Sequence, residues 1–358
     1  MKIAILGAGH GGYTMAADLS LAGHEVNLYE LPQYEQNLDG VRQRGGIELT
    51  GTGRDGFAKI AAATTDIKEA IQGTQLIMVV TPAFVHMTFI EKFAPNLEDG
   101  QVIVFNTGNF ASFVCANHLK KKKIKAEVTI AETECLIYAC RIMGPGKAWA
   151  MAVKDKLRLA ALPATRTKRA LDVATKAFPQ FYAGKNVLET SVTNINFAIH
   201  PVSTIMNTGK IEQLGAYQTT HYDTTPSIAR VMEAVDAERS ILAKKLGLGP
   251  VSTKDTLLRY YGAKGSNLYE ALVDSRAYKV QTSPANLQSR YITEDIPYGL
   301  VPIASLGEML RIQMPTTDAI IDLCSAANAT DYRREGLTVE KLGLKRLTAK
   351  QIIKRVNG

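Results

Sequence analysis

The four cysteines of this 358-residue chain, Cys115, Cys135, Cys140 and Cys324, form no Cys-x-x-Cys pair and have no histidines at metal-site spacing. That pattern argues against a metal centre and fits reduced thiols in a cytoplasmic protein. No apolar run approaches the length of a membrane span, and no charged leader or cleavage site precedes the first apolar run at Lys2, so a cytoplasmic chain with no membrane partner is expected. Internal repeats and low-complexity stretches are also missing. The net charge of +8 would permit a nucleic-acid partner, but the positive charges are scattered among acidic ones. The one dense run, Lys120 to Lys123 with Lys125, reads as a solvated helix end, as do Lys345, Arg346, Lys350, Lys354 and Arg355 in the tail. No nucleic-acid partner is therefore expected, although a positive field would draw small carboxylates toward the protein.

What is present is enough chain for two domains, with nearly half of it apolar. Short runs rich in Val and Ile alternate with longer mixed segments at Lys2 to Leu6, Glu25 to Glu30, Leu76 to Val80, Val102 to Asn106 and Val128 to Ala131. Strands this apolar throughout suit a parallel sheet covered on both faces, so residues 1–183 are expected to form an α/β Rossmann domain. Two further runs, Ala148 to Val153 and Leu157 to Ala161, flank Lys154-Asp155-Lys156 and are expected to extend the sheet as a hairpin. From 184 to 358 the periodicity becomes helical, as in Thr190 to Thr208, Ser227 to Leu246 and Ser305 to Ile312, which predicts a mainly α-helical second domain.

The first run leads directly into Gly7-Ala8-Gly9-His10-Gly11-Gly12. This Gly-x-Gly-x-x-Gly stands between a strand and a helix, where the first glycine permits the turn, the second admits a pyrophosphate and the third lets helix and strand approach. The helix N-terminus then holds the phosphates. Glu30 ends the second strand, where a carboxylate can accept from both adenosine ribose hydroxyls and repel a 2′-phosphate. No arginine follows until Arg42, so NAD is expected in preference to NADP. Thr81, Pro82, Asn106 and Gly108 follow the third and fourth runs and are expected to line the same site, although turn chemistry alone would also explain them. His10 either touches the pyrophosphate or is simply exposed. His86 and His118 read as helix surface.

Further along, Thr193-Asn194-Ile195-Asn196-Phe197-Ala198-Ile199-His200-Pro201, Asn286-Leu287-Gln288-Ser289-Arg290-Tyr291, Glu294-Asp295-Ile296-Pro297-Tyr298-Gly299-Leu300-Val301-Pro302 and Asp331-Tyr332-Arg333-Arg334-Glu335-Gly336 are set along the chain. Together with the glycine motif they resemble the opine dehydrogenases, over the whole chain. The resemblance implies an NADH-dependent reductive condensation of an amino acid with a 2-oxo acid such as pyruvate, giving a secondary amine dicarboxylate. It also implies a catalytic pair at His200 and Asp295, an asparagine at Asn196 and a carboxylate-binding arginine at Arg290. A pocket role for Glu132-Thr133-Glu134-Cys135 is put in doubt, because that segment departs from the pattern.

Without the family, Asn196, His200 and Asn207 fall on one face of an apolar helix. Such a polar row is costly to bury without partners. Pro201 should kink the helix at the histidine, which suits aiming a side chain. On pattern alone His200 is equally a hydrogen-bonded core histidine, Asp295 a turn or N-cap residue, and Arg290 half of a surface ion pair. His221, Tyr217, Tyr222 and Asp223 form a polar stretch that could belong to an amino-acid pocket. The same features also suit another Rossmann-plus-helical dehydrogenase of ketopantoate reductase or glycerol-3-phosphate dehydrogenase type, or a non-catalytic NAD-binding protein. The oligomeric state is left open, a homodimer included.

Overall fold

The computed structural model describes residues 1–279 and 281–358. The chain divides into two compact units, Met1–Val187 with Gly358, and Leu188–Asn357.

In the first unit the strands are β1 (Lys2–Leu6), β2 (Glu25–Tyr29), β3 (Gly46–Gly51), β4 (Gly56–Lys59), β5 (Ala62–Thr64), β6 (Leu76–Val79), β7 (Val102–Phe105), β8 (Thr129–Thr133), β9 (Tyr138–Gly144), β10 (Lys147–Val153), β11 (Leu157–Leu162) and β12 (Phe181–Ala183). Its helices are α1 (His10–Leu21), α2 (Gln36–Arg44), α3 (Ile67–Ile71), α4 (His86–Phe93), α5 (Ala111–Lys121) and α6 (Thr167–Ala174). Eight strands form one sheet in the order β12-β11-β8-β7-β6-β1-β2-β5. All its pairings are parallel except β8 with β11. β1, β6 and β7 are almost wholly buried, and Phe89, Phe93, Cys115 and Leu119 of α4 and α5 pack on one face. This is a Rossmann sheet, with an antiparallel addition at one edge.

Register fixes where the site lies. Leu6 pairs with Tyr29 and with Val79, Val79 with Phe105, and Phe105 with Glu132. The carboxyl ends of β1, β2, β6, β7 and β8 therefore lie level, and the chain order reverses about β1, the place where doubly wound sheets bind ligands.

Two expectations fail here. Ala148–Val153 and Leu157–Ala161 do not pair as a hairpin: β10 joins a separate four-stranded sheet, β4-β3-β10-β9, while β11 joins the large sheet. The reason is Lys154, which is not a solvated turn residue. It is 4% exposed, with Nζ donating to the Leu136 carbonyl at 2.5 Å and its backbone N–H to Ile137 at 2.9 Å, so the chain is anchored between the sheets. Likewise His86 and His118 are buried, not surface. His86 falls on the stripe of Phe89, Ile90 and Phe93, and His118 on that of Cys115 and Leu119. Lys120–Lys123 and Lys125 are exposed at the end of α5, as expected.

The second unit consists mainly of helices: α7 (Val187–Val192), α8 (Asn196–Met206), α9 (Thr208–Leu214), α10 (Pro226–Lys245), α11 (Thr253–Tyr261), α12 (Leu268–Asp274), α13 (Arg290–Thr293), α14 (Val301–Met309), α15 (Pro315–Ala327), α16 (Tyr332–Glu335) and α17 (Ala349–Asn357). A two-stranded ribbon joins Gln218–Thr219 to Gln281–Thr282. The helical span expected over Thr190 to Thr208 is broken at 193–195, so Asn196 opens α8 and Pro201 lies inside it. α8 is the axis of the unit, packed by α10, α13 and α15, with Phe197, Ala198, Ile199 and Val202 fully buried. Among the described residues, no helix is long and apolar enough to cross a membrane.

Candidate active site

In the first unit, Gly7 takes φ +104°, and a Cβ there would lie 2.5 Å from Thr81 Cγ2. A Cβ on Gly12 would lie 1.7 Å from the Gly7 carbonyl oxygen, so no side chain fits between β1 and α1. Gly11 is closed in by Val80 and Leu136. Gly9 differs, with nothing within 4 Å of its Cβ position. The loop is thus packed behind and open in front, the arrangement a pyrophosphate requires. Glu30 directly follows β2. Its carboxylate is buried and accepts from Ala8 N–H at 2.9 Å, Leu31 N–H at 2.8 Å and Asn37 Nδ2 at 3.3 Å. No motif or spacing marks Asn37 as a partner of Glu30.

Thr81 and Pro82 follow β6, and the Thr81 hydroxyl is buried without a hydrogen-bond partner among the described residues. Its carbonyl lies 3.3 Å from His86 Nε2, and burial pushes that imidazole down to about 4. His86 is therefore a neutral donor. Asn106 donates to Val104 O at 3.2 Å and accepts from Thr133 Oγ1 at 3.3 Å, and Gly108 is packed against the Glu132 side chain. Glu132, Thr133 and Glu134 are fully buried; Glu132 receives Ser112 N–H and Oγ at the start of α5, and Glu134 pairs with Arg158 at 3.1 Å. His10 is exposed, and its Nδ1 accepts from Ile142 N–H at 2.9 Å. The open Gly9, the ordered Glu30 carboxylate and the orphaned Thr81 hydroxyl together fit a dinucleotide.

In the second unit, His200 and Asp295 meet. His200 Nδ1 lies 2.8 Å from Asp295 Oδ2, with side chains 5% and 3% exposed. The contact has a local cause in sequence: Gly299, in the π-helical turn Ile296–Leu300, leaves no room for a Cβ, which would fall 2.3 Å from the Phe197 ring. That close approach seats the turn on α8 one turn before the histidine. Asp295 precedes the turn but makes no side-chain cap; its carboxylate goes to His200 instead. Burial pushes the Asp295 carboxyl up to about 7, with the Arg290 guanidinium pulling it the other way.

Tyr291 and Tyr222 complete the surround. The Tyr291 ring stacks on His200 at 4.0 Å and 20°, and Tyr222 meets it edge-on at 5.7 Å. Burial and the neighbouring Tyr291 push the Tyr222 hydroxyl well up, so it stays neutral. A pocket opens beside them, lined by His200, Ser203, Asn207, Tyr217, Asp223 and Tyr291 among others. Asn207 reaches it; Asn196, at the first turn of α8, is not part of its lining. Arg290 is 52% exposed and its Nη1 lies 3.4 Å from Glu294 Oε2, an ion pair between the first residue of α13 and the residue that ends it. His221 is likewise outside the lining, with Nδ1 buried and unpartnered among the described residues. No group of acidic, histidine or cysteine side chains suited to a metal ion occurs among those residues.

Comparison with known proteins decides between the readings. The chain is 36% identical over 346 residues to an opine dehydrogenase of Arthrobacter sp. (strain 1C), covering 97% of this chain and 96% of that one. It belongs to the opine dehydrogenases. The helical-domain model of the NAD/NADP octopine/nopaline dehydrogenases matches residues 183–328, and the N-terminal model of NAD-dependent glycerol-3-phosphate dehydrogenase matches 2–157. Octopine dehydrogenase of Pecten maximus is 24% identical over 95% of this chain and 94% of its own. A solved octopine dehydrogenase with NADH and L-arginine superposes at a TM-score of 0.80, with 21% identity, over 99% of this chain and 98% of that one. A ketopantoate reductase from Ralstonia eutropha JMP134 shares the fold less closely, at a TM-score of 0.62 and 19% identity over 92% of this chain and 99% of that one. As a family member the chain is an NAD-dependent oxidoreductase acting on CH–NH bonds, and the rival readings are not favoured.

Proposed function

We propose that this enzyme condenses an L- or D-amino acid with a 2-oxo acid, pyruvate foremost, and reduces the imine to an N-(carboxyalkyl)amino acid. Solved relatives carry NADH with L-arginine and NADH with pyruvate, which supports both substrate classes. In this reading residues 1–183 hold NADH and 184–358 carry out the condensation in the cytoplasm. Gly7, Gly9, Gly11, Gly12 and His10 receive the pyrophosphate, Glu30 the adenosine ribose, and Thr81, Pro82, Asn106 and Gly108 the remainder of the dinucleotide. When bound, NADH supplies the hydride; every other step falls to the chain and its substrates.

The observation that carries the reading is the buried His200–Asp295 contact of 2.8 Å. With Nδ1 committed to Asp295, Nε2 is the nitrogen that takes a proton from the substrate ammonium. The freed amine attacks the carbonyl carbon. Nε2 returns that proton to the oxygen and then relays a second one from the newly bonded nitrogen, so that the oxygen departs as water as the C=N bond forms. The carboxylate on Nδ1 fixes the tautomer and stabilises the imidazolium between these steps. Arg290 receives the oxo acid's carboxylate, for which its planar fork is suited, and Asn196 orients substrate from the start of α8.

The test is a matrix of amino acids against pyruvate, glyoxylate, oxaloacetate and 2-oxoglutarate, followed by NADH absorbance. Consumption of NADH only when both an amine and an oxo acid are present is the expected result. Reduction of an oxo acid alone at the same rate would contradict it.

A further inference from the structure

A cation of the chain itself is paired with the wall of the pocket beside His200, although it is not part of the lining. Lys210 of α9 places Nζ 2.8 Å from Asp223 Oδ2 and 4.6 Å from the centre of the Tyr217 ring. The Tyr217 hydroxyl donates to the same carboxylate oxygen. Tyr217 and Asp223 line the pocket together with His200, Tyr222 and Tyr291. A carboxylate flanked by aromatic faces is the chemistry that recognises an ammonium or guanidinium group.

Asp223 is built into the wall. It ends three successive residues in the left-handed region, His221 at φ 52°, Tyr222 at 56° and Asp223 at 52°. Non-glycine residues stay there only when their surroundings over-determine the conformation. Here Ser203 Oγ donates to the Tyr222 carbonyl at 2.7 Å, and Asp223 N–H donates to Thr220 O at 2.8 Å. The Asp223 side chain is 18% exposed, whereas Lys210 is 47% exposed and reaches in from the rim. Burial pushes the Asp223 carboxyl up, but hydrogen bonds from Lys210, Tyr217 and Thr219 outweigh it and hold the carboxyl below its ordinary value. The group is an anion at neutral pH.

We propose that Lys210 determines amine specificity by occupying a cation subsite formed by Asp223 and Tyr217, so that amino acids with cationic side chains are rejected. The proposal rests on the pocket beside His200 being the amine site. An incoming guanidinium meets a carboxylate already satisfied and a like charge beside it, so it loses its hydration without gaining a partner. An uncharged side chain meets the tyrosine rings and uncharged lining residues such as Ile211 and Pro284 without that repulsion. Octopine dehydrogenases have been solved with L-arginine and with agmatine, so cationic amines are admitted by relatives of the same fold.

The experiment compares the full-length parent with Lys210→Met, Lys210→Arg and the double variant Lys210→Met/Asp223→Asn. Condensation with pyruvate is measured for leucine and for arginine, and agmatine binding is read separately as a thermal shift. In Lys210→Met the arginine-to-leucine ratio of kcat/KM should rise about tenfold or more, the size expected when a partly buried carboxylate gains a charged partner. Lys210→Arg should keep the parent's ratio, and the double variant should lose the gain. Agmatine should raise Tm in Lys210→Met and leave the parent unmoved. An unchanged ratio in a Lys210→Met enzyme that still uses leucine, or a parent that prefers arginine, would overturn the proposal. A parent that condenses no amine at all would overturn the functional reading instead, and the agmatine shift then decides the subsite alone.

Discussion

Tyr291 lies flat on His200, ring centres 4.0 Å apart and planes 20° from parallel, while Asp295, four residues on, holds the same imidazole through Nδ1. The histidine is thus fixed in plane by the carboxylate and out of plane by the tyrosine. A stacked aromatic pair contributes roughly 0.5–1.5 kcal/mol beyond its area. Tyr291→Ala should therefore lower kcat about two- to tenfold, whereas Tyr291→Phe, which keeps the ring, should stay close to the parent. Equal losses in the two variants would assign the effect to the hydroxyl instead.

Glu30 accepts two backbone N–H groups and the Asn37 amide, one of those backbone groups lying in the glycine loop itself. Replacing a charged acceptor costs roughly 1.5–3 kcal/mol. Glu30→Ala should weaken NADH binding by that order and improve NADPH relative to NADH. Titration of both nucleotides by fluorescence checks this; a parent that already prefers NADPH would contradict the assignment.

Arg290 pairs with Glu294 at a long 3.4 Å and is half exposed, so it is positioned yet not locked. Arg290→Lys keeps the charge and loses the planar fork. The Michaelis constant for the oxo acid should rise several-fold, with that for the amine little changed. If both constants held steady, Arg290 would be a surface ion pair and nothing more.

The Asp295 carboxyl, raised by burial to about 7, gives a stability test with a defined sign. Its folded value lies above the ~3.9 of an unfolded aspartate. The group's contribution to stability is therefore fully present below about pH 4 and is lost as pH rises toward 7. Asp295→Asn cannot titrate there. The Tm of the parent minus that of Asp295→Asn should shrink between pH 5 and pH 7.5 and level off above. A difference that stays constant across that window would mean the carboxyl does not titrate as its burial implies.

The parallel strands were legible because β1, β2, β6, β7 and β8 are apolar throughout and end in turns of recognisable chemistry. The second sheet was not: β3, β4 and β9 mix buried with exposed residues such as Phe57 and Met143, which no simple periodicity marks. Lys154 misled because a lysine beside an aspartate looks solvated, yet its Nζ donates to the Leu136 carbonyl. His86 misled in the same way. A single polar residue on an apolar stripe is buried when a carbonyl, here that of Thr81, stands within reach. The His200–Asp295 contact was suggested by resemblance and by the polar row on α8, but Tyr291, Tyr222 and Lys210 owe their places to tertiary packing. No local pattern announces a ring stacked across 91 positions of sequence, from 200 to 291.

In the proposed reaction His200 and Asp295 act as one proton-transfer unit. The most direct measurement is the condensation rate of His200→Ala, Asp295→Asn and the double variant, with NADH affinity measured alongside. Removing the proton-transfer group should cost about 10²–10⁴ in turnover and leave NADH binding intact, because the glycine loop and Glu30 lie in the other unit. Asp295→Asn should lose activity in the same way by holding the wrong tautomer, and the double variant should be little worse than the worse single one. Near-normal turnover in His200→Ala, or multiplicative losses in the double variant, would contradict the account.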